Sequence, residues 1–299
     1  MACLLFNLAL HKVIKDSGIN TRGTIFNKSV QIFAFADDID IIAQTPNALK
    51  EAFASLETEA NKMNLKINQE KTKYMPCTKT EFRESYFEIG PYKFETTSNF
   101  KYLGSEISNL SSITPEIRNR ITAANRCFFG LKKYLKSNFI RRETKLLIYK
   151  TLIRPILIYS AETWVLTEKD KQTLAVFERK VLRSIFKGIK EGNFWRKRTN
   201  LEIYRCFKEP DVIKTIAIQR IKWAGHVIRM DDSSTTKKIF LAKPITTRVR
   251  GRPKLRWIDC IEKDFEILKV NNWKSTAKNR AAWGKLLRKA RAHPGLSCQ

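Results

Sequence analysis

The sequence predicts an α+β fold in which a mixed α/β region, residues 1–110, precedes a basic helical region. Short β-rich runs meet at an acidic pair near residue 37, and helical spacing of apolar residues takes over after residue 113. Of the 57 Lys+Arg and 29 Asp+Glu residues, 13 of each lie in residues 1–110. The remaining 44 basic and 16 acidic residues therefore carry the whole net charge of +28. The structural boundary and the charge boundary coincide.

The composition excludes several classes of protein. With 43% hydrophobic and 11% aromatic residues, the 299-residue chain can form a core, so it is not a disordered basic tail. No run reaches the roughly 18 apolar residues of a membrane span, and the first ten residues lack a basic stretch typical of a signal peptide. Six scattered cysteines and three histidines argue against zinc fingers and disulfide frameworks. We expect a nuclear or cytoplasmic protein.

The first region begins with a predicted hairpin. Val30–Ala43 reads as two strands, apolar on both sides of Asp37 and Asp38, so we expect a hairpin buried on both faces with the carboxylates at its tip. Apolar residues then recur every three or four positions from Pro46 to Met63, and Thr45 fits the N-cap of that helix. Strand-like segments follow within Leu65–Met75 and, around Phe94 and Tyr102, within Tyr86–Ile107.

The second region is predicted to be helical throughout. One helix opens at Thr114-Pro115, another runs from about Arg142 to Ile153 and ends near Pro155, and Thr167 with Asp170 forms a capping box before a third. The rest reads as basic helices interrupted by a loop at Asp231–Thr236 and a Pro/Gly/Arg linker at Pro244–Pro253.

Adjacent carboxylates at a hairpin tip repel each other unless a cation lies between them. Asp37 and Asp38 have the hard oxygen donors that a divalent metal needs for phosphoryl transfer. Aspartate is also common in ordinary solvated turns. On spacing alone, both interpretations stay open.

The residues around the pair carry a family resemblance. Phe35-Ala36-Asp37-Asp38, within FAFADDIDIIAQT, resembles motif C of reverse transcriptases in the version found in non-LTR (LINE-type) retrotransposons. Residues 65–73, LKINQEKTK, resemble motif D, and residues 100–104, FKYLG, resemble motif E. Residues 4–10 resemble the helix that follows motif B. The matches occur in the order that the family uses.

The resemblance implies an RNA-directed DNA polymerase that uses Mg²⁺. Asp37 and Asp38 would be its metal ligands and catalytic carboxylates, and Lys71 would protonate the pyrophosphate leaving group. Tyr102 would lie where the family grips the primer strand. For Lys71 we favour a solvated lysine, for Tyr102 a core residue, and for Asp40 a variant position.

The resemblance also exposes a gap. Met1 falls inside the helix after motif B, so the fingers, the motif A aspartate and the Gln-Gly of motif B are absent from these residues. Losing a metal-binding carboxylate costs several kcal/mol of transition-state stabilisation. We expect that this chain alone does not polymerise, and that residues 1–110 are a partial reverse-transcriptase palm.

Three strings in the basic region resemble parts of LINE-type reading frames: residues 159–164 (YSAETW), 222–230 (KWAGHVIRM) and 251–257 (GRPKLRW). By that resemblance residues 111–190 are a thumb-like helical region and residues 191–299 a basic C-terminal extension. These strings indicate ancestry more than mechanism.

The basic region also carries dense positive charge, which predicts salt-sensitive and mostly sequence-independent binding of RNA and DNA. Trp195 could stack on unpaired bases, whereas for Trp257 we favour a packing anchor. Residues 250–253 resemble an AT-hook core, although a flexible linker explains them as well. The candidate nucleic-acid contacts are Tyr102, Arg141, Arg142, Arg196, Lys197, Arg198, Arg250, Arg252, Lys254 and Arg256.

Three hypotheses follow. The first is the C-terminal portion of a retrotransposon reverse transcriptase. The second is a non-enzymatic nucleic-acid-binding protein that uses residues 111–299. The third is a gene fragment without a selected role.

Overall fold

The computed structural model describes residues 2–19, 30–78, 84–242 and 255–296, and its α+β architecture confirms the predicted fold class. The described residues form two compact units. We call the first, within residues 1–100, the hairpin unit, and the second, within residues 101–241 and 248–299, the helical unit. None of the described helices is both long enough and apolar enough to cross a bilayer.

The hairpin unit packs strands against one long helix. The predicted helix is confirmed, with Thr45 at the N-cap accepting the Ala48 N–H at 3.2 Å. Phe53 from this helix contacts the rings of Tyr92 and Phe94 in one small core. The elements are α1 (Ala2–Asp16), β1 (Val30–Phe35), β2 (Asp38–Ala43), α2 (Pro46–Lys62), β3 (Lys73–Tyr74), β4 (Tyr86–Ile89) and β5 (Tyr92–Thr96). Strand β5 lies between β3, to which it is parallel, and β4, to which it is antiparallel.

A second β hairpin, β6 (Asn99–Tyr102) and β7 (Ser105–Ser108), leads into the helical unit. The strands predicted around Phe94 and Tyr102 are thereby confirmed. The strand-like start predicted at Leu65 is wrong, because residues 65–68 have no regular structure and pairing is confined to Lys73–Tyr74. Asn68 instead accepts the Lys71 N–H and organises a turn.

The helical unit consists mostly of helices, several with the predicted ends. The capping box is confirmed, since the Asp170 N–H donates to Thr167 Oγ1 and the Thr167 N–H to Asp170 Oδ2. The helices are α3 (Thr114–Lys136), α4 (Arg142–Ile148), α5 (Arg154–Leu157), α6 (Glu168–Phe186), α7 (Asn200–Phe207), α8 (Val212–Ile228), α9 (Thr235–Leu241), α10 (Trp257–Ile267), α11 (Trp273–Lys278) and α12 (Arg280–Ala292).

Three predictions for this unit need correction. The helix predicted to end near Pro155 continues to Leu157, because a π-helical turn, Tyr149–Ile153, widens the backbone before the proline. The region is not all helical, because β8 (Ile189–Glu191) and β9 (Phe194–Arg196) form a hairpin. The loop predicted to reach Thr236 ends earlier, since α9 begins at Thr235. The Pro244–Pro253 linker lies outside the described residues.

Two adjoining apolar cores hold the helical unit together, one around Tyr149 and Trp164 and the other around Trp273 and Trp283. Buried polar contacts tie the segments together. Arg220 donates through Nε and Nη2 to Asp264 Oδ2 at 2.9 and 2.8 Å and through Nη1 to the Trp164 carbonyl.

The strings 159–164, 222–230 and 251–257 have packing roles in this unit. Trp257 donates its indole N–H to the Glu162 carbonyl at 2.7 Å, which confirms its prediction as a packing anchor. Gly225 lies so close to Trp283 that an added Cβ would be 2.1 Å from Trp283 Nε1. Of the last string, Gly251–Lys254 lies outside the described residues.

Candidate metal and nucleic-acid sites

The acidic pair lies at the tip of the β1–β2 hairpin, as predicted. The register pairs Phe35 with Asp38, which leaves Ala36 and Asp37 as a two-residue turn. Ala36 has φ +54°, a left-handed conformation that suits the twist of a tight hairpin but is uncommon for alanine. Asp37 and Asp38 are both exposed. The backbone thus presents two neighbouring carboxylates to solvent on a short turn.

The prediction that the hairpin is buried on both faces is wrong. Residues that pair directly across an antiparallel hairpin share a face. One face turns Ile39 and Ile41 toward Val13, Leu56 and Ala60. The other, which we call the open face, consists of Phe33, Phe35, Asp38, Asp40 and Ile42, with Phe35 63% and Ile42 51% exposed. Apolar residues therefore lie on both faces of the hairpin, but the described residues pack against only one of them.

Asp40 lies on the open face together with Asp38. It pairs with Phe33 and is half-buried, and burial raises the pKa of its carboxyl above the usual value. A half-buried carboxyl is less accessible to a hydrated cation than the two exposed carboxylates. The half-buried Asp40 therefore differs from Asp37 and Asp38, whose carboxylates are both exposed.

The hairpin fits Mg²⁺ in the type of its donors but not in their number. Carboxylate oxygens are the ligands that Mg²⁺ prefers, and the tip supplies them from Asp37 and Asp38. Within the described ranges, no three His, Cys, Asp or Glu side chains come together as a metal-binding group. The described residues therefore supply two carboxylates at the tip and do not by themselves complete a magnesium site.

Lys71 and Tyr102 have different surroundings. Lys71 lies in the turn organised by Asn68, and its side chain is exposed. Tyr102 ends β6 and is half-buried. The exposed side chain of Lys71 agrees with the solvated lysine favoured from the sequence. Tyr102 belongs to none of the cores of the described residues, so its role as a core residue stays a prediction.

The predicted cationic residues divide into exposed and internally bonded groups. Arg141, Arg142 and Lys197 are exposed. Arg196 makes ion pairs through Nη2 with Glu191 Oε1 at 2.5 Å and with Glu202 Oε1 at 2.8 Å.

Arg198 and Arg256 are half-buried. Arg198 Nε donates to the Phe186 carbonyl at 3.4 Å. The Arg256 N–H donates to Asp259 Oδ2 and so starts α10. Arg250, Arg252 and Lys254 lie outside the described residues.

Sequence reasoning missed the β8–β9 hairpin, although a signal was present. Gly192-Asn193 is a two-residue turn signal between short runs, and Gly192 adopts φ +58°. Reading the whole basic region as helical hid this hairpin. It also hid the exposure of Phe194, which is 81%, whereas the 72% exposure of Trp195 is compatible with the base stacking considered from the sequence.

Comparison with known proteins bears on the hairpin unit most directly. Residues 1–107 match the family described as Reverse transcriptase (RNA-dependent DNA polymerase). The chain is also 26% identical over 267 residues to an uncharacterized transposon-derived protein of Caenorhabditis elegans, covering 85% of this chain and 94% of that protein. No solved structure matches the chain significantly. The resemblance to reverse transcriptases is thus supported over the residues that carry the acidic hairpin. The similarity to a transposon-derived protein extends over most of the chain.

Proposed function

We propose that this chain is the C-terminal portion of an RNA-directed DNA polymerase of a non-LTR (LINE-type) retrotransposon. The observation that carries the proposal is the position of Asp37 and Asp38, exposed at a two-residue hairpin turn inside the segment that matches the reverse transcriptase family. The similarity to a transposon-derived protein supports the same origin.

In this proposal Asp37 and Asp38 hold Mg²⁺ together with a further carboxylate from the rest of the polymerase. The metal, when bound, neutralises charge on the phosphates during transfer. The hairpin itself fixes the two carboxylates on a rigid turn, and Asp40 stays outside the ligand set. Lys71 could serve as a general acid only in the assembled nucleotide pocket. The described residues alone do not form a complete site, so we propose that these 299 residues do not polymerise by themselves.

The helical unit would serve as the thumb and basic extension that hold RNA and DNA. Arg141, Arg142 and Lys197 are exposed and available for phosphate contacts. Arg196, whose guanidinium is bonded to two carboxylates, would mainly stabilise the fold.

A longer protein tests the catalytic assignment. The coding sequence upstream of Met1 should contain an in-frame Gln-Gly and a motif A aspartate, and the extended chain should elongate a DNA primer on an RNA template with Mg²⁺. Asp37→Asn and Asp38→Asn should each abolish elongation, whereas Asp40→Asn is the matched control on the same strand and should keep it. Elongation that survives Asp37→Asn and Asp38→Asn would refute the assignment.

A second candidate function is nucleic-acid binding without catalysis, favoured by the excess of 44 basic over 16 acidic residues after residue 110. The chain should bind single-stranded RNA with an affinity that falls steeply between about 50 and 200 mM salt. Absence of RNA binding at low salt would remove this candidate.

A further inference from the structure

The β8–β9 hairpin exposes aromatic side chains that packing does not explain. Phe194 and Trp195 are 81% and 72% exposed, whereas Trp164, Trp273 and Trp283 are buried in the cores. An exposed tryptophan loses the free energy of burial that a core position would provide. A partner that covers the ring would recover that free energy.

The backbone holds the Trp195 ring in a defined place. The strand register pairs Lys190 with Trp195, so the cation and the ring share one face of the hairpin. Gly188 leaves room for the strand and the ring of Trp195. An added Cβ there would be 2.8 Å from the Arg196 carbonyl oxygen and 3.5 Å from Trp195 Cε3. The ring therefore rests beside the Gly188 backbone and leaves most of its surface to solvent.

The hairpin is fixed to the helix that follows it. Arg196 bridges Glu191 of the hairpin and Glu202 of α7, and this bridge lowers the pKa of Glu202 to about 2. Both carboxylates thereby neutralise the same guanidinium. Lys190 and Lys197 make no ion pair with any described residue. The hairpin is thus tied to α7 by ion pairs and carries two lysines without an ion pair among the described residues.

The loop between α3 and α4 extends this surface. Lys187, adjacent to Gly188, donates to the Asn138 side chain, and Lys145 donates to the Ser137 carbonyl. Burial, with Lys187 and Arg142 nearby, lowers the pKa of Lys145. The next residue of the loop, Phe139, is 99% exposed. The contact between Lys187 and Asn138 therefore brings this loop, with its exposed Phe139, next to the start of the β8–β9 hairpin.

We propose that this surface, which we call the aromatic platform, binds an unpaired stretch of RNA or DNA. The aromatic platform consists of Phe139, Arg142, Lys187, Lys190, Trp195 and Lys197. Bases would stack on Trp195 and Phe139, while Lys190 and Lys197 neutralise the phosphates between them. The proposal rests on the proposed nucleic-acid function and specifies the strand that this part of the chain recognises.

The chemistry favours a single strand over other partners. Aromatic side chains stack on the faces of unpaired bases, and a cationic groove tracks the backbone of a single strand. A duplex hides the base faces, so it would use the lysines without the rings. Anionic lipid and acidic protein are other polyanions that such a surface attracts. Phosphatidylserine vesicles therefore serve as a comparison probe for lipid.

The test compares variants of the full chain on defined probes. We expect Trp195→Ala to weaken binding of a labelled oligouridylate of about 12 nucleotides about tenfold, the equivalent of one lost stacking interaction. Trp195→Phe should keep most of the affinity because it keeps a π face. Lys190→Ala should lower the slope of log affinity against log salt by about 1. Tyr86→Ala, which removes an exposed aromatic ring from the hairpin unit, is the matched control and should change nothing.

Two further probes identify the partner. An RNA duplex of the same length should bind the wild type and Trp195→Ala equally, and phosphatidylserine vesicles should bind more weakly than the single strand. Equal binding of the single strand by wild type and Trp195→Ala would overturn the aromatic platform but leave the nucleic-acid function intact. If Trp195→Ala lost vesicle binding but kept single-strand binding, the partner of the aromatic platform would be a membrane surface rather than nucleic acid. A wild-type chain that binds neither RNA form would refute both proposals.

Discussion

The hairpin unit and the helical unit differ in how completely they bury their apolar side chains. On α1, Leu4, Leu5 and Leu8 are 57–64% exposed, and the open face of the hairpin exposes Phe35 and Ile42. In the helical unit Tyr149 and Trp164 are fully buried. Among the described residues, the helical unit therefore encloses two large cores, although it also exposes single rings such as Phe139 and Trp195. The hairpin unit has only small cores, and its described residues leave the open face of the hairpin without a packed partner. That difference agrees with the proposal that the acidic hairpin needs further polymerase residues to form a site.

The comparison also separates stability from function. In the helical unit, buried charges serve the fold, because their partners are internal. In the hairpin unit, the carboxylates of Asp37 and Asp38 are exposed and hold no element together. Substitutions of the buried charges in the helical unit should therefore lower the free energy of unfolding, whereas substitutions of Asp37 and Asp38 should leave it nearly unchanged.

The largest effect should come from the buried pair of Arg220 and Asp264. Asp264→Ala leaves a buried guanidinium without its carboxylate, so we expect the free energy of unfolding to fall by about 3–5 kcal/mol. All six tryptophans lie between residues 164 and 283, so tryptophan fluorescence during urea unfolding reports on the helical unit. The double variant Arg220→Met/Asp264→Leu removes both charges and should be less destabilised than Asp264→Ala. A loss below about 1 kcal/mol in Asp264→Ala would show that this core is not closed around the pair.

The next largest loss of stability should come from Gly225, whose backbone lies against the Trp283 ring. Gly225→Ala places a Cβ into the buried Trp283 ring and should cost about 2–3 kcal/mol by forcing the second core apart. Gly130→Ala is the matched control, since it also lies in a helix but a Cβ there meets no atom within 4 Å. Chemical denaturation of the two variants should separate them. Equal stability would contradict the packing of α8 against α12.

A buried carboxyl should make the helical unit sensitive to pH. Glu178 accepts hydrogen bonds from Tyr149, Tyr204 and the Val212 N–H, and burial raises its pKa from 4.5 to about 7. Because the folded-state pKa is above the unfolded one, its contribution is fully present below pH 4.5 and is lost as the pH rises through 7. We expect about 2 kcal/mol of lost stability between pH 5 and pH 8.

The variant Glu178→Gln isolates that contribution. Its stability at pH 5 differs from the wild type because the amide replaces one acceptor by a donor. Its dependence on pH over the same range should be flatter than that of the wild type. Parallel curves for the two proteins would rule out Glu178 as the titrating group.

The smallest effect should come from the acidic tip. Asp37→Asn and Asp38→Asn should change stability by no more than about 0.5 kcal/mol, because both side chains are exposed. Hydrogen exchange of the amides in residues 30–43 measures this effect in a unit without tryptophan. Ile41→Ala, on the packed face, is the positive control and should speed exchange. Faster exchange in Asp38→Asn than in Ile41→Ala would assign the carboxylate a structural role.

The sequence predicted features that local chemistry determines. The N-cap at Thr45, the capping box at Thr167 and the hairpin with Asp37 and Asp38 at its tip each depend on residues within a few positions. Motif order further identified the region that matches the reverse transcriptase family.

Features that depend on distant contacts escaped prediction. The apolar strands around Asp38 looked buried on both faces, but the described residues place α2 against only one of them. The approach of Gly225 to Trp283 joins positions 58 residues apart, which no local pattern shows. The β8–β9 hairpin that carries the exposed Trp195 was missed because the basic composition suggested helices throughout.

One reaction tests the central claim that the acidic hairpin is part of a polymerase site and that the helical unit is complete without it. The 299-residue chain is incubated with Mg²⁺, deoxynucleotides and a DNA primer annealed to an RNA template, and primer binding and extension are measured in the same samples. We predict salt-sensitive binding and no extension above that of the Asp37→Asn/Asp38→Asn variant. Extension by the wild-type chain that disappears in this variant would contradict the claim, because the hairpin would then belong to a complete site.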